Sequence, residues 1–138
     1  MAIYVADGAT IGRGDGASPE VFTTIAQVRT IGTVGLNRGL IDVTNLSSAA
    51  REYKKAIVDG QEISLSIQYD PDDTGHAGLR TDCSAEVSRN YRITLTDSPA
   101  QTITFAAMAM NWTLSGIEID NVIMLSCTLK PSGALTFA

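Results

Sequence analysis

Alternation of apolar and polar side chains is the feature that most restricts how this chain folds. In "QEISLSIQYD" Ile63, Leu65, Ile67 and Tyr69 fall on one side of an extended backbone, and Glu62, Ser64, Ser66 and Gln68 on the other. "NYRITLTD" repeats the pattern, with Tyr91, Ile93 and Leu95 against Arg92, Thr94 and Thr96. "IEIDNVIMLSCTLK" continues it, with Ile117, Ile119, Ile123, Leu125, Cys127 and Leu129 in one phase and Asn121 as the exception. A period of two puts successive side chains on opposite faces of a strand, so each run reads as a strand with one face in a core. Burial is expected above all for Ile63, Leu65, Ile67, Ile93, Leu95, Ile123 and Leu125.

The stretch "QTITFAAMAMNWTL" changes phase: Ile103 and Phe105 occupy odd positions, then Met108, Met110, Trp112 and Leu114 even ones. Such a shift implies a bulge or a strand covered on both sides. "VFTTIAQVRTI" and "LIDVTN" are shorter, β-branched strand candidates. Turn residues in "GDGASP", "VGLNRG", "VDGQ", "TDSPA" and "KPSG" separate the runs. One helix stands out, "TGHAGLRTDCSAEV", capped by Asp72 or Asp73. For "SSAAREYKKAIV" a helix and a long loop compete. The sum is a single domain over residues 1–138, mostly β: an antiparallel barrel or sandwich with one flanking helix.

Charged residues are 18% of the chain and hydrophobic residues 44%, an ordinary globular balance. The formal charge of −5 comes without a basic stripe, which argues against a general nucleic-acid binder. "MAIYVADGAT" lacks the basic and apolar regions of a signal peptide, and every apolar stretch is far short of the roughly 20 residues a membrane helix needs, so no membrane partner is expected. Cys83 and Cys127 lack metal or redox spacing and are expected to be small buried hydrophobes.

The densest polar stretch is "YDPDDTGHAGLRTDC", with four carboxylates and the chain's one histidine. A calcium loop starting at Asp70 would place Thr81 where the closing bidentate glutamate belongs. His76 and Cys83 are separated by about 10 Å of helix rise, too far to share a zinc ion. A structural reading accounts for the residues better: Pro71 stops a strand, Asp72 and Asp73 suit a helix N-terminus, and Leu79 and Cys83 share a core-facing side. Gly12, Gly14 and Gly16 read as a flexible turn, because a strand-like "VFTTI" follows where a dinucleotide site needs a helix. Arg13-Gly14-Asp15 matches an adhesion tripeptide, but three residues in a glycine-rich stretch carry little weight. No motif points to a catalytic nucleophile or a cofactor.

"GDGASPEVFTTIAQVRTI", "LIDVTNLSSAAREYKKAIVDGQEISLSIQYDPDD" and "IDNVIMLSCTLKPSGALTFA", taken in order, resemble the major tail tube proteins of long-tailed bacteriophages and of phage-like gene transfer agents. The resemblance runs over nearly the whole chain. It implies a β-barrel or sandwich with one helix that self-assembles into stacked hexameric rings, a virion tail tube conducting DNA to the host cell with no catalytic site and no cofactor. It further implies assembly in the host bacterial cytoplasm, passage of DNA without specific binding, and contact with tape measure, terminator and distal tail proteins. In this picture the polar segment 47–60 is an arm to the neighbouring ring, with Arg51, Glu52, Lys54, Lys55 and Asp59 as candidate inter-ring contacts. Two alternatives are a different β-sandwich virion module, such as a capsid decoration or baseplate adaptor, and a small metal-dependent hydrolase built on Asp70, Asp72, Asp73 and His76.

Overall fold

The computed structural model describes residues 8–96 and 100–138. Tyr4 and the centre of the expected "TDSPA" turn lie outside the described residues. In chain order the elements are β1 (Thr10–Gly14), β2 (Phe22–Thr24), β3 (Val28–Thr30), β4 (Leu36–Asp42), β5 (Tyr53–Gly60), β6 (Ile63–Gln68), α1 (Thr74–Ser84), β7 (Arg89–Leu95), β8 (Gln101–Ser115), β9 (Met124–Pro131) and β10 (Thr136–Phe137). The main sheet runs β2-β1-β7-β8-β9-β6-β3, with β10 also paired to β8, and β4 and β5 form a separate two-stranded ribbon. All these pairings are antiparallel.

The topology forces the main sheet to curl. β2 and β3 lie at opposite ends of the strand order, yet only Ile25, Ala26 and Gln27 separate them in the chain. That connection spans at most about 14 Å, whereas a flat sheet of this width would hold its edges roughly 29 Å apart at about 4.8 Å per strand. The edges therefore approach each other and the sheet becomes an open barrel. The linker itself bridges the seam: the Ile25 N–H donates to the Ile11 carbonyl on β1 at 2.9 Å, and the Gln68 N–H donates to the Gln27 carbonyl at 3.0 Å.

The barrel interior takes the alternating faces read from the sequence. Ile63, Leu65 and Ile67 on β6 sit opposite Leu129, Cys127 and Leu125 on β9, and all six are buried. Tyr91 and Ile93 on β7 and Ile103, Phe105, Ala107 and Ala109 on β8 complete the wall, and Leu79 of α1 is buried among them. Leu95 is only partly buried. Both cysteines are free; Cys127 is buried and Cys83 half-buried, and burial pushes the Cys127 thiol up to about 12.

Several expectations need correction. Ile117, Ile119 and Ile123 are not on a strand face: residues 116–123 connect β8 to β9, and these three side chains are 69%, 92% and 36% exposed. Alternation continued through a loop because isoleucines happen to punctuate it, while Gly116 and Asp120, at φ +76° and +65°, turn the chain. The bulge on β8 is real, but it lies at Met110, where the register with β9 shifts between Ala109 and Asn111. Met108 and Met110 therefore point outward, and only Trp112 and Leu114 pack against the core from the even phase. The helix ends at Ser84, closed by the Ala85 N–H on the Thr81 carbonyl at 3.0 Å, which leaves Val87 exposed. "SSAAREYKKAIV" is neither helix nor uniformly loop: residues 53–60 form β5, whose partner strand supplies the backbone hydrogen bonds. Gly12 and Gly14 lie inside β1, where Phe22 and Glu20 leave little room for a side chain; Gly16, at φ +76°, is the turn glycine.

Truncating Ile67 to Ala should cost about 2–5 kcal/mol in urea unfolding, as a fully buried aliphatic. Ile119→Ser should change stability by less than about 0.5 kcal/mol in the isolated subunit. A comparable loss at both positions would contradict the assignment of the two faces.

Candidate assembly surface

The polar stretch at 69–83 is a strand stop and helix cap. Asp73 is the N-cap, its Oδ2 accepting from the His76 N–H at 3.2 Å, and Asp70 Oδ1 accepts from the Asp72 N–H at 3.0 Å. His76 is wholly buried: Nδ1 accepts from the Asp70 N–H at 3.0 Å, and Nε2 lies 2.7 Å from the Ala26 carbonyl, to which it donates. The ring thus ties the start of α1 to the linker that closes the barrel seam, a positional role that nothing in the sequence marked. Among the described residues no three His, Cys, Asp or Glu side chains are gathered as a metal-binding group.

The fourth carboxylate of that stretch, Asp82, anchors a network that sequence reasoning missed. Arg13 of β1 grips it with two hydrogen bonds, Nε to Oδ2 at 2.7 Å and Nη2 to Oδ1 at 2.8 Å. Arg89 Nε donates to Oδ1 at 3.1 Å while its Nη1 donates to the Gly14 carbonyl at 3.0 Å, and the Tyr91 hydroxyl donates to Oδ2. Gly78 makes this possible, because a Cβ there would lie 2.9 Å from the Arg13 side chain. Burial alone would raise the Asp82 pKa, but the hydrogen bonds from Arg13 and Tyr91 and the charges of Arg13 and Arg89 hold it below the usual carboxylate range. Burial first, and the Asp82 carboxylate second, push the Tyr91 hydroxyl well above its ordinary value. The signal was present: position 82 lies three residues past Leu79 on the same helix face, and Tyr91 belonged to a buried set with a hydroxyl to satisfy. The Arg13-Gly14-Asp15 tripeptide is engaged by its own chain, since Arg13 holds Asp82 and Asp15 Oδ1 accepts from the Ala17 and Val21 N–H groups.

The ribbon β4–β5 is the element without a place in the barrel. It continues the β3–β6 pair outward past Gly35 and Gln61, which are joined by the Gln61 N–H on the Gly35 carbonyl at 3.0 Å. Every residue of β4 is exposed. At the root, Lys130 Nζ donates to both Asp59 carboxylate oxygens at 3.1 and 3.2 Å and to the Gly60 carbonyl at 2.8 Å. Gly60 packs on Pro131 so closely that a Cβ would lie 2.7 Å from it. The tip is tied by its own side chains: the Glu52 N–H donates to Thr44 Oγ1 at 2.8 Å, and Ser48 Oγ donates to Glu52 Oε2 at 2.5 Å. Arg51 Nη1 lies 3.4 Å from Asp42 Oδ2. Of the five candidate contacts, Arg51, Glu52 and Asp59 are thus engaged within the chain; Lys54 and Lys55 are exposed and, among the described residues, have no ionic partner. Exposed apolar side chains accompany them, with Leu40 at 69% and Ile57 at 90%.

No protein-family profile and no curated protein sequence matches the chain. Solved structures do. The chain superposes on a protein of the native gene transfer agent virion with a TM-score of 0.75 at 18% identity, covering 99% of each chain. It matches a chain from the tail of an empty gene transfer agent particle, refined with C6 symmetry, with a TM-score of 0.69 at 19% identity over 93% of this chain and 95% of that one. Against the SPP1 tail tube the TM-score is 0.70 at 10% identity, over 98% of this chain and 78% of the other. The chain has the tail-tube fold. Of the expected barrel or sandwich with one flanking helix, the topology shows an open barrel with one helix among the described residues.

Removing the charge at Asp82 tests the network. Asp82→Asn should cost about 3 kcal/mol, since it leaves two arginines partly buried without a counter-charge. Because the folded pKa is depressed, the carboxylate's contribution is complete above its unfolded value near 4 and is lost as pH falls through the folded value. Urea unfolding from pH 7 down to pH 2 should show a steeper acid limb for the native sequence than for Asp82→Asn. Parallel acid limbs would contradict the assignment.

Proposed function

We propose that this chain is a structural tail tube subunit, which stacks as hexameric rings into the virion tube of a phage or gene transfer agent and has no catalytic role. The observation that carries this reading is the arm: a two-stranded ribbon with apolar side chains in solvent, on a chain of which 98% is covered by the match to the SPP1 tail tube. A lone ribbon of this kind is at best marginally stable in water, and contact with another copy supplies the missing cover. Outside the arm the chain carries six Lys or Arg against twelve Asp or Glu. An acidic body of this kind suits a channel wall that repels DNA phosphate, so that DNA passes without specific binding. In this reading the partners are further copies of the chain together with tape measure, terminator and distal tail proteins, and the tube is built in the host bacterial cytoplasm before it functions in the virion.

Negative-stain microscopy of the purified protein should show rings or tubes. Lys54→Glu with Lys55→Glu should lower tube yield while circular dichroism remains that of the native fold, and the native protein's yield should fall with added salt, because exposed charges are screened. Monomers at every concentration would contradict the tube reading. A yield indifferent to both salt and the reversal would move the stacking contact away from these lysines.

A further inference from the structure

The arm and the β8–β9 connection lie at opposite ends of one strand. Lys130 and Pro131, at the end of β9, hold the root of the arm at Asp59 and Gly60. The arm leaves the barrel there, since β5 runs into β6 and Ile63 of β6 pairs with Leu129. Residues 116–123 precede Met124, the first residue of β9. The strand between them is eight residues long, which separates the two features by about 24 Å along the barrel.

They also match in chemistry. The arm from Leu36 to Gly60 carries four Lys or Arg against three Asp or Glu, and the exposed charges on it that have no ionic partner among the described residues are the cations Arg38, Lys54 and Lys55, beside Leu40 and Ile57. The connection carries Glu118 and Asp120, both exposed and, among the described residues, without a cationic partner, interleaved with exposed Ile117 and Ile119. Asp15, Asp42, Asp59 and Asp73, by contrast, already accept hydrogen bonds within the chain. Two arms meeting each other would bring like charges together, which is destabilising on a strand pair. An apolar, basic ribbon at one end and an apolar, acidic loop at the other form a head-to-tail contact, which repeats without closing on itself.

Resting on the tube reading, we propose that the arm of one copy seats on residues 116–123 of the copy in the next ring, with Lys55, on the face it shares with its cross-strand partner Leu40, toward Glu118 and Asp120. Charge exchange tests it. Lys54→Glu with Lys55→Glu, and separately Glu118→Lys with Asp120→Asn, should each reduce tube yield at low salt by about tenfold. Asn is chosen at 120 because it tolerates the positive φ there. Combining all four substitutions should restore yield to within about threefold of the native protein. Thermal melts of each variant check that the subunit still folds. A loop variant that forms tubes at the native level, or a combination no better than its parts, overturns the pairing while native tubes keep the tube reading; native protein that forms no tubes overturns both. As a second measurement, Lys55→Cys protein and Glu118→Cys protein, each also carrying Cys83→Ser, should form a disulfide-linked dimer on mixing and mild oxidation. Dimers of the Lys55→Cys protein alone, in place of the mixed dimer, would overturn the proposal.

Discussion

Beyond its root at Lys130 and Pro131, a strand pair that runs past the end of its own barrel finds nothing among the described residues to pack against, and much of this structure turns on that fact. Within the barrel, β6 lies between β3 and β9 and its apolar face is buried at Ile63, Leu65 and Ile67. Past Gly60 the same ribbon continues as β4–β5, held by its own ladder, the turn at its tip and Lys130 at its root. Among the described residues its outer backbone edges pair with no further strand, and Leu36, Leu40, Ile41 and Ile57 lie in water. Folding alone gives no return for such an element; association does.

The barrel has to be firm for such an arm to carry geometry from one copy to another. Two devices provide this, and both involve the single helix. His76 ties the N-terminus of α1 to Ala26 at the barrel seam. Asp82, two turns later, ties the helix to β1 through Arg13 and to β7 through Tyr91 and Arg89. The helix thus clamps strands from neighbouring parts of the sheet at the places where curling would otherwise be free. A buried ionic cluster is a weak source of net stability but a demanding one in geometry, since each partner left alone is costly.

How much of this was legible in the sequence follows from which signals are local. Strands that bury one face announce themselves by alternation, and β6, β7 and most of β9 were readable residue by residue. Alternation fails where the same chemistry serves exposure: Ile117, Ile119 and Ile123 keep the period but cover another surface, so a single-chain reading sends them into the core. β5 was obscured for the opposite reason, because "YKKAIVDG" buries only Gly60 fully and its strand state depends on pairing with β4. The cap at Asp73 was legible because capping is a matter of three residues. The Asp82 network was legible only in part: helix spacing put Asp82 beside Leu79, but Arg13, Arg89 and Tyr91 come from β1 and β7 and only the fold brings them to it. The candidate contacts divide likewise: Lys54 and Lys55 remain outward and unpaired, whereas Asp59 is taken by Lys130, 71 residues away in the chain.

The central claim is that the arm finds its cover in another copy. Hydrogen–deuterium exchange on the isolated subunit and on the assembled protein measures this directly, because backbone amides of an unsupported ribbon exchange through local opening while those pinned at an interface do not. The account predicts fast exchange over residues 36–60 in the subunit and strong protection of the same residues in the assembly, with the β6 and β9 amides slow in both. Equal exchange over 36–60 in the two states would contradict it.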